Sequence, residues 1–166
     1  MGTIKHLQRQ KIKIKGTFKK GKKINRNCQL EKCWVWPEKV ENKIKPLIKG
    51  ISLNVCAGLS PLGDIKIDIE QHQKDIIITD MSKLPFDDNT FDTVISDPPW
   101  KINFFHRQRP FFEAVRVCKV NGRIIYNCTW KPVSKYVKLE KVYLRTDNHW
   151  ANISAIWIFK KTAEII

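Results

Sequence analysis

The chain has 166 residues, 42% of them apolar, with six Trp and eight Phe, and a formal net charge of +15. That is the size and composition of one ordinary domain with its own core, not of a disordered chain, and no run of about 18 apolar residues offers a membrane span. The charge is lopsided: residues 1–49 hold 15 Lys/Arg against 3 Asp/Glu, and residues 50–166 hold 16 against 13.

A positive field confined to one end attracts polyanions through counterion release, so nucleic acid is the expected partner and a membrane is not. The N-terminus is too charged for a secretory signal. Five scattered Cys form no disulfide framework, so a reducing, cytoplasmic setting is expected.

Met1–Arg26 carries ten Lys/Arg and no acid, which predicts a flexible basic arm. Cys28 and Cys33, with four residues between them, are half a zinc site, and no second pair follows. They read as small hydrophobes, and no metal is expected. Trp34 and Trp36 are expected to anchor the arm, giving a division into residues 1–36 and a domain over 37–166. Pro37–Lys49 predicts a short amphipathic helix with Val40, Ile44, Leu47 and Ile48 on one side, ending or kinking at Pro46.

A strand over Ile51–Gly58 then runs into small residues, and Leu59–Asp64 leaves no room for a helix before the next strand. In that second strand Ile65, Ile67 and Ile69 alternate with Lys66 and Asp68, which predicts one polar face. Asp75–Met81 reads as a third strand with a continuous apolar centre, and Leu84-Pro85-Phe86 as a turn. Thr93-Val94-Ile95 has the composition of a buried parallel strand.

That strand stops at Ser96-Asp97-Pro98-Pro99-Trp100, because proline lacks the N–H a ladder needs. A carboxylate is thereby placed at the C-terminal lip of a strand, where open α/β sheets bind ligands. Asp97 Oδ and the Pro98 carbonyl can both accept from one NH2 group, and Trp100 offers a flat face for stacking. This equipment suits an exocyclic amine on a planar ring.

Lys101–Arg109 is polar and aromatic and is expected to line the substrate pocket. Pro110 is expected to begin a helix burying Phe111, Phe112, Val115 and Cys118, closed by a left-handed cap at Asn121-Gly122. Arg123–Cys128 reads as the fifth strand, and Lys131–Lys141 is short for a crossover helix. Val142–Arg145 and Asn152–Lys160 read as a final antiparallel pair, turning at Asp147-Asn148.

The order of these motifs resembles the class I S-adenosylmethionine-dependent methyltransferases, and the Asp-Pro-Pro-Trp turn resembles the amino-methyltransferases that modify adenine N6 or cytosine N4. The resemblance covers residues 37–166. It implies an α/β, Rossmann-like methyltransferase sheet in a compact form that lacks the first crossover helix, with an antiparallel strand pair at the C-terminus. It implies S-adenosylmethionine as cofactor, with Cys56, Ala57 and Gly58 letting the backbone approach it. Asp68 would then take the ribose hydroxyls, Asp80 the adenine amino group, and Met81 would pack on the ring. Asp97, Pro98 and Trp100 would be catalytic, and Trp100, Lys101, Arg107 and Arg109 would meet a DNA or RNA substrate. The missing helix would leave a sheet face that a second copy of the chain or a protein partner could cover. Three rivals stand beside methylation of a nucleobase amine: a protein amide as acceptor, a small-molecule amine, and a catalytically weak nucleic-acid-binding scaffold. Glutamine-modifying enzymes are similar to Asn-Pro-Pro, not Asp-Pro-Pro.

Overall fold

A computed structural model describes residues 36–99, 102–103, 106–146 and 153–165. The basic arm, with Cys28, Cys33 and Trp34, lies outside them. Trp36 leads into helix α1 (Glu38–Ile44) and a 3-10 turn over Lys45–Leu47 that contains Pro46. The strands are β1 (Ser52–Val55), β2 (Ile65–Asp68), β3 (Ile76–Ile78) and β4 (Phe91–Ser96). Helix α2 (Gln108–Val117) leads into β5 (Cys118–Cys128), and β6 (Val137–Arg145) and β7 (Ser154–Lys161) complete the chain.

These strands form one sheet in the order β3-β2-β1-β4-β5-β7-β6. The first five are parallel neighbours, and β7 runs antiparallel to both β5 and β6. The chain winds outward from β1 to β3 and returns to β4, so the order reverses between β1 and β4, the place where such sheets hold ligands.

Strand alternation divides the core between two faces. Leu53, Val55, Ile65, Ile67, Val94, Ile124 and Tyr126 pack with Phe111, Ala114 and Val115 of α2 and with Phe86. Ile95, Ile125, Ile156 and Ile158 face the other way, against Trp36, Val40, Ile44 and Leu62.

No helix joins β1 to β2. The connection folds back on β1 instead: Ser52 N–H and Oγ donate to Asp64 Oδ2 at 2.9 and 2.7 Å, and Asn54 Nδ2 donates to the Leu62 carbonyl at 3.0 Å. This seats Leu62 in the second core, where it takes up part of the space a crossover helix would fill. Gly63 permits the bend. Its φ is +86°, and a Cβ there would lie 2.9 Å from Asn54 Cβ.

Several expectations need correction. Asp75, Asp80 and Met81 lie outside β3, and Ile69 lies beyond β2, 71% exposed. The second strand's polar face is not bare: Asp68 is buried, and half-buried Lys66 reaches Gln73 Oε1 at 3.3 Å. Helix α2 begins two residues before Pro110, and Phe112 is 42% exposed. Phe112 points about 100° from Phe111 and falls on the side of α2 away from the core. The helix ends at Val117 because Cys118 is already extended and paired with Phe91. Asn121 is left-handed (φ 68°), but it sits inside β5, where the register against β4 shifts. β6 begins at Val137, so the segment weighed as a crossover helix is partly strand.

The bend at Gly63 generates a direct test. Gly63→Ala should lower unfolding stability by at least about 1–2 kcal/mol from left-handed strain alone, read from urea denaturation. An unchanged midpoint would show that the loop does not hold this bend.

Candidate active site

Because β1 to β4 are parallel, the residues that follow them gather along one edge of the sheet. Cys56, Ala57 and Gly58 leave β1 in a tight turn, with left-handed backbone at Cys56 (φ 57°) and Gly58 (φ 52°). Such a conformation costs a non-glycine residue about 1–3 kcal/mol and clusters at ligand sites. The turn is pinned from β2. Gly58 N–H donates to Asp68 Oδ2 at 2.9 Å, Ile69 N–H donates to Asp68 Oδ1 at 2.7 Å, and Ala57 N–H reaches the Ile67 carbonyl at 3.0 Å. Gln73 Nε2 donates to the carbonyls of Gly58 and Ser60, each at 3.1 Å.

Across the turn, Cys56 Sγ lies 3.4 Å from Met81 Sδ. Burial, reinforced by the negative charge of Asp68, Asp97 and Asp80, pushes the Cys56 thiol well above its ordinary value, so it stays protonated at neutral pH. It is packing material, not a nucleophile. Asp80 is exposed, and its Oδ1 accepts from the Ser82 N–H at 2.7 Å and Oγ at 2.8 Å. The Leu84-Pro85-Phe86 turn that follows Asp80 and Met81 is docked by Arg116 of α2. Its guanidinium donates to the carbonyls of Leu84 and Phe86 at 3.0 and 2.9 Å while pairing with Glu113 and Asp88.

Asp97 N–H donates to the Val55 carbonyl at 3.3 Å, so the Asp-Pro-Pro turn lies directly beside the Cys56 turn. Its carboxylate is held on both sides. Trp36 Nε1 donates to Oδ2 at 2.5 Å and Asn127 Nδ2 donates to Oδ1 at 2.8 Å. A carboxylate offers about four acceptor positions, and these donors occupy one on each oxygen. Pro98 is buried and Pro99 exposed.

The expected cofactor residues Cys56, Ala57, Gly58, Asp68, Asp80 and Met81 thus meet on one edge with Asp97 and Pro98. Asp68 differs in detail, because its carboxylate spends both oxygens on backbone N–H groups. Trp100 and Lys101 lie outside the described residues. Arg107 sits over the Trp130 ring at 5.3 Å, and Arg109 Nε donates to the Ser82 carbonyl at 3.2 Å, so both border the edge.

Sequence reasoning missed Trp36, Gln73 and Asn127 as parts of this site. Asn127 had a readable signal, a polar amide inside the apolar run Ile124-Ile125-Tyr126-Asn127-Cys128. Nothing local marks Gln73.

Residues 58–126 match a family model described as a methyltransferase domain. No curated protein matches the sequence. Among solved structures, the PH0226 protein from Pyrococcus horikoshii OT3 is 16% identical, with a TM-score of 0.55 over 75% of this chain and 90% of that one. The N-methyltransferase NodS from Bradyrhizobium japonicum WM9, solved with S-adenosyl-L-homocysteine, is 9% identical, with a TM-score of 0.55 over 75% and 84%. TrmN from Thermus thermophilus is 10% identical, with a TM-score of 0.53 over 74% and 47%. At such identities the likeness is one of fold.

The edge suits an adenosine-bearing cofactor: a turn without a side chain at Gly58, an exposed carboxylate at Asp80, and Met81 beside it. Asp80→Ala should therefore weaken S-adenosylhomocysteine binding in calorimetry by roughly 10-fold or more, a charged hydrogen bond's contribution, and leave the melting temperature unchanged. Asp68→Ala should lower both affinity and melting temperature, because Gly58 N–H loses its acceptor. Equal affinity in wild type and Asp80→Ala would remove Asp80 from the site. Sheet order and the likeness to these structures together show the α/β, Rossmann-like fold of the class I methyltransferases.

Proposed function

We propose that the chain methylates the exocyclic amino group of a nucleobase, adenine N6 first, in DNA or RNA. The observation that carries this reading is the placement of Asp97 and Pro98. They follow one another at the lip of β4, beside the turn that leaves β1, with the Asp97 carboxylate held rather than loose.

An exocyclic amine is a poor nucleophile because its lone pair is delocalised into the ring. The Asp97 carboxylate and the Pro98 carbonyl, accepting from its two hydrogens, favour a tetrahedral nitrogen and stabilise the positive charge that grows there. This is electrostatic preorganisation with the sign opposite to an oxyanion hole. S-adenosylmethionine, when bound, supplies an electrophilic methyl group on a sulfonium sulfur. Gly58, Asp80 and Met81 would hold it. No strong base is needed beforehand, since the proton becomes acidic only as the new bond forms. The base must be flipped from a duplex or offered single-stranded, and Trp100 would stack on it. The ten Lys/Arg of residues 1–26 supply a sequence-independent attraction for the polyanion.

N-methylation of a small-molecule amine is the second reading; NodS, similar in fold, is an N-methyltransferase.

Incubation with labelled S-adenosylmethionine and a panel of DNA and RNA, followed by nucleoside analysis, decides between them. Methylated adenosine is expected, and label confined to small amines would select the second reading. Asp97→Ala should reduce transfer by several powers of ten while S-adenosylhomocysteine still binds, and a wild-type rate would rule Asp97 out of the chemistry. Removing residues 1–26 should flatten the salt dependence of nucleic-acid affinity, by about 0.7–0.9 in log–log slope for each phosphate no longer neutralised. An unchanged slope would assign the phosphates to Arg107, Arg109 and their neighbours.

A further inference from the structure

We infer that Trp36 and Asn127 are positioning residues, a two-donor clamp that sets the angle at which the Asp97 carboxylate meets the incoming amine. The inference rests on the reading of Asp97 given above and extends it to two residues that do not touch substrate.

An aspartate carboxylate turns easily about its last torsion, which has a broad, roughly two-fold profile. Here one oxygen is held from α1's side of the sheet and the other from β5, by residues 61 and 30 positions away in sequence. Rotation would break both bonds. Neither donor carries a charge, so the clamp orients the carboxylate without neutralising it. A lysine or arginine in either place would oppose the positive charge that the carboxylate is there to stabilise.

Each donor also carries a polar group that packing alone does not require. Asn127 is fully buried, and its own Oδ1 has no hydrogen-bond partner among the described residues. An orphaned buried acceptor of this kind is destabilising, whereas a leucine would suit this strand. Turning the amide over would set two oxygens against each other, so the donor end must face Asp97. Trp36 is 5% exposed and packs with Val40, Ile44 and Ile95. A phenylalanine would preserve most of that packing, and only the indole N–H reaches the site.

Substitutions that remove the donor and keep the bulk separate positioning from packing. In the full chain, Trp36→Phe and Asn127→Leu should slow single-turnover transfer to the preferred nucleic acid by roughly 10- to 100-fold, the loss expected from slight misplacement of a reacting group. S-adenosylhomocysteine affinity and substrate KM should change little. Asn127→Leu should melt no lower than wild type while being slower, which a purely structural asparagine would not do. The clamp itself is read without turnover. Of the six indole signals in a 15N–1H spectrum, the one that disappears in Trp36→Phe should move in Asp97→Ala. An unmoved signal would overturn the clamp. Wild-type transfer in Trp36→Phe and Asn127→Leu, alongside a dead Asp97→Ala, would overturn positioning and leave the proposed function standing. An active Asp97→Ala whose indole signal still moves would overturn the proposed function instead, leaving the clamp a structural contact only.

Discussion

The end of β4 is the constraint on which the site depends. Ser96 completes the strand, Asp97 makes one last backbone bond to Val55, and the next two residues have no N–H to give. The ladder therefore stops one residue beyond the neighbouring strand's end, and the carboxylate stands at the lip instead of inside the sheet. Hydrogen bonds from Trp36 and Asn127 then tie three distant stretches to that one side chain: the approach to α1, the end of β4 and the end of β5.

The fold reaches this arrangement with few helices. Where a crossover helix would join β1 to β2, a hydrogen-bonded loop turns back on β1 and contributes Leu62 to the core. The economy has a consequence at the edge of the sheet beyond β1. With no helix to hold the turn after β1, Asp68 and Gln73 do it, through Gly58 N–H and the Gly58 and Ser60 carbonyls. Asp68 is thus committed to the loop's shape, and the exposed carboxylate on this edge is that of Asp80, fixed by Ser82. The opposite face relies on Arg116, whose planar fork bonds two carbonyls and two carboxylates and locks the Leu-Pro-Phe turn to α2.

Most of the architecture was legible along the chain. β-branched runs marked the buried parallel strands, prolines marked where a strand or helix had to stop, and the short Leu59–Asp64 connection excluded a helix. Errors fell where local pattern is ambiguous. Phe112 looked apolar enough to be buried but is turned about 100° from Phe111. Asn121-Gly122 carried a helix-cap signal, yet the helix had already ended because Cys118 found a partner in Phe91. β6 was read too short because Val137–Lys141 is mostly charged and, on an edge, little buried, although its alternation is that of a strand.

What the sequence by itself determined is the set of strands, the loss of the first crossover helix and the carboxylate at a strand end, since each follows from residues within a few positions of one another. What only the tertiary structure decided is which side chains act on those groups. Trp36 and Asn127 meet at Asp97 because the sheet order sets β4 beside β5 and lays α1 across both. Asp68 serves the backbone because the loop after β1 happens to present Gly58 N–H to it. Hydrogen-bond partners are chosen by proximity in space, and no pattern along a chain carries that distance.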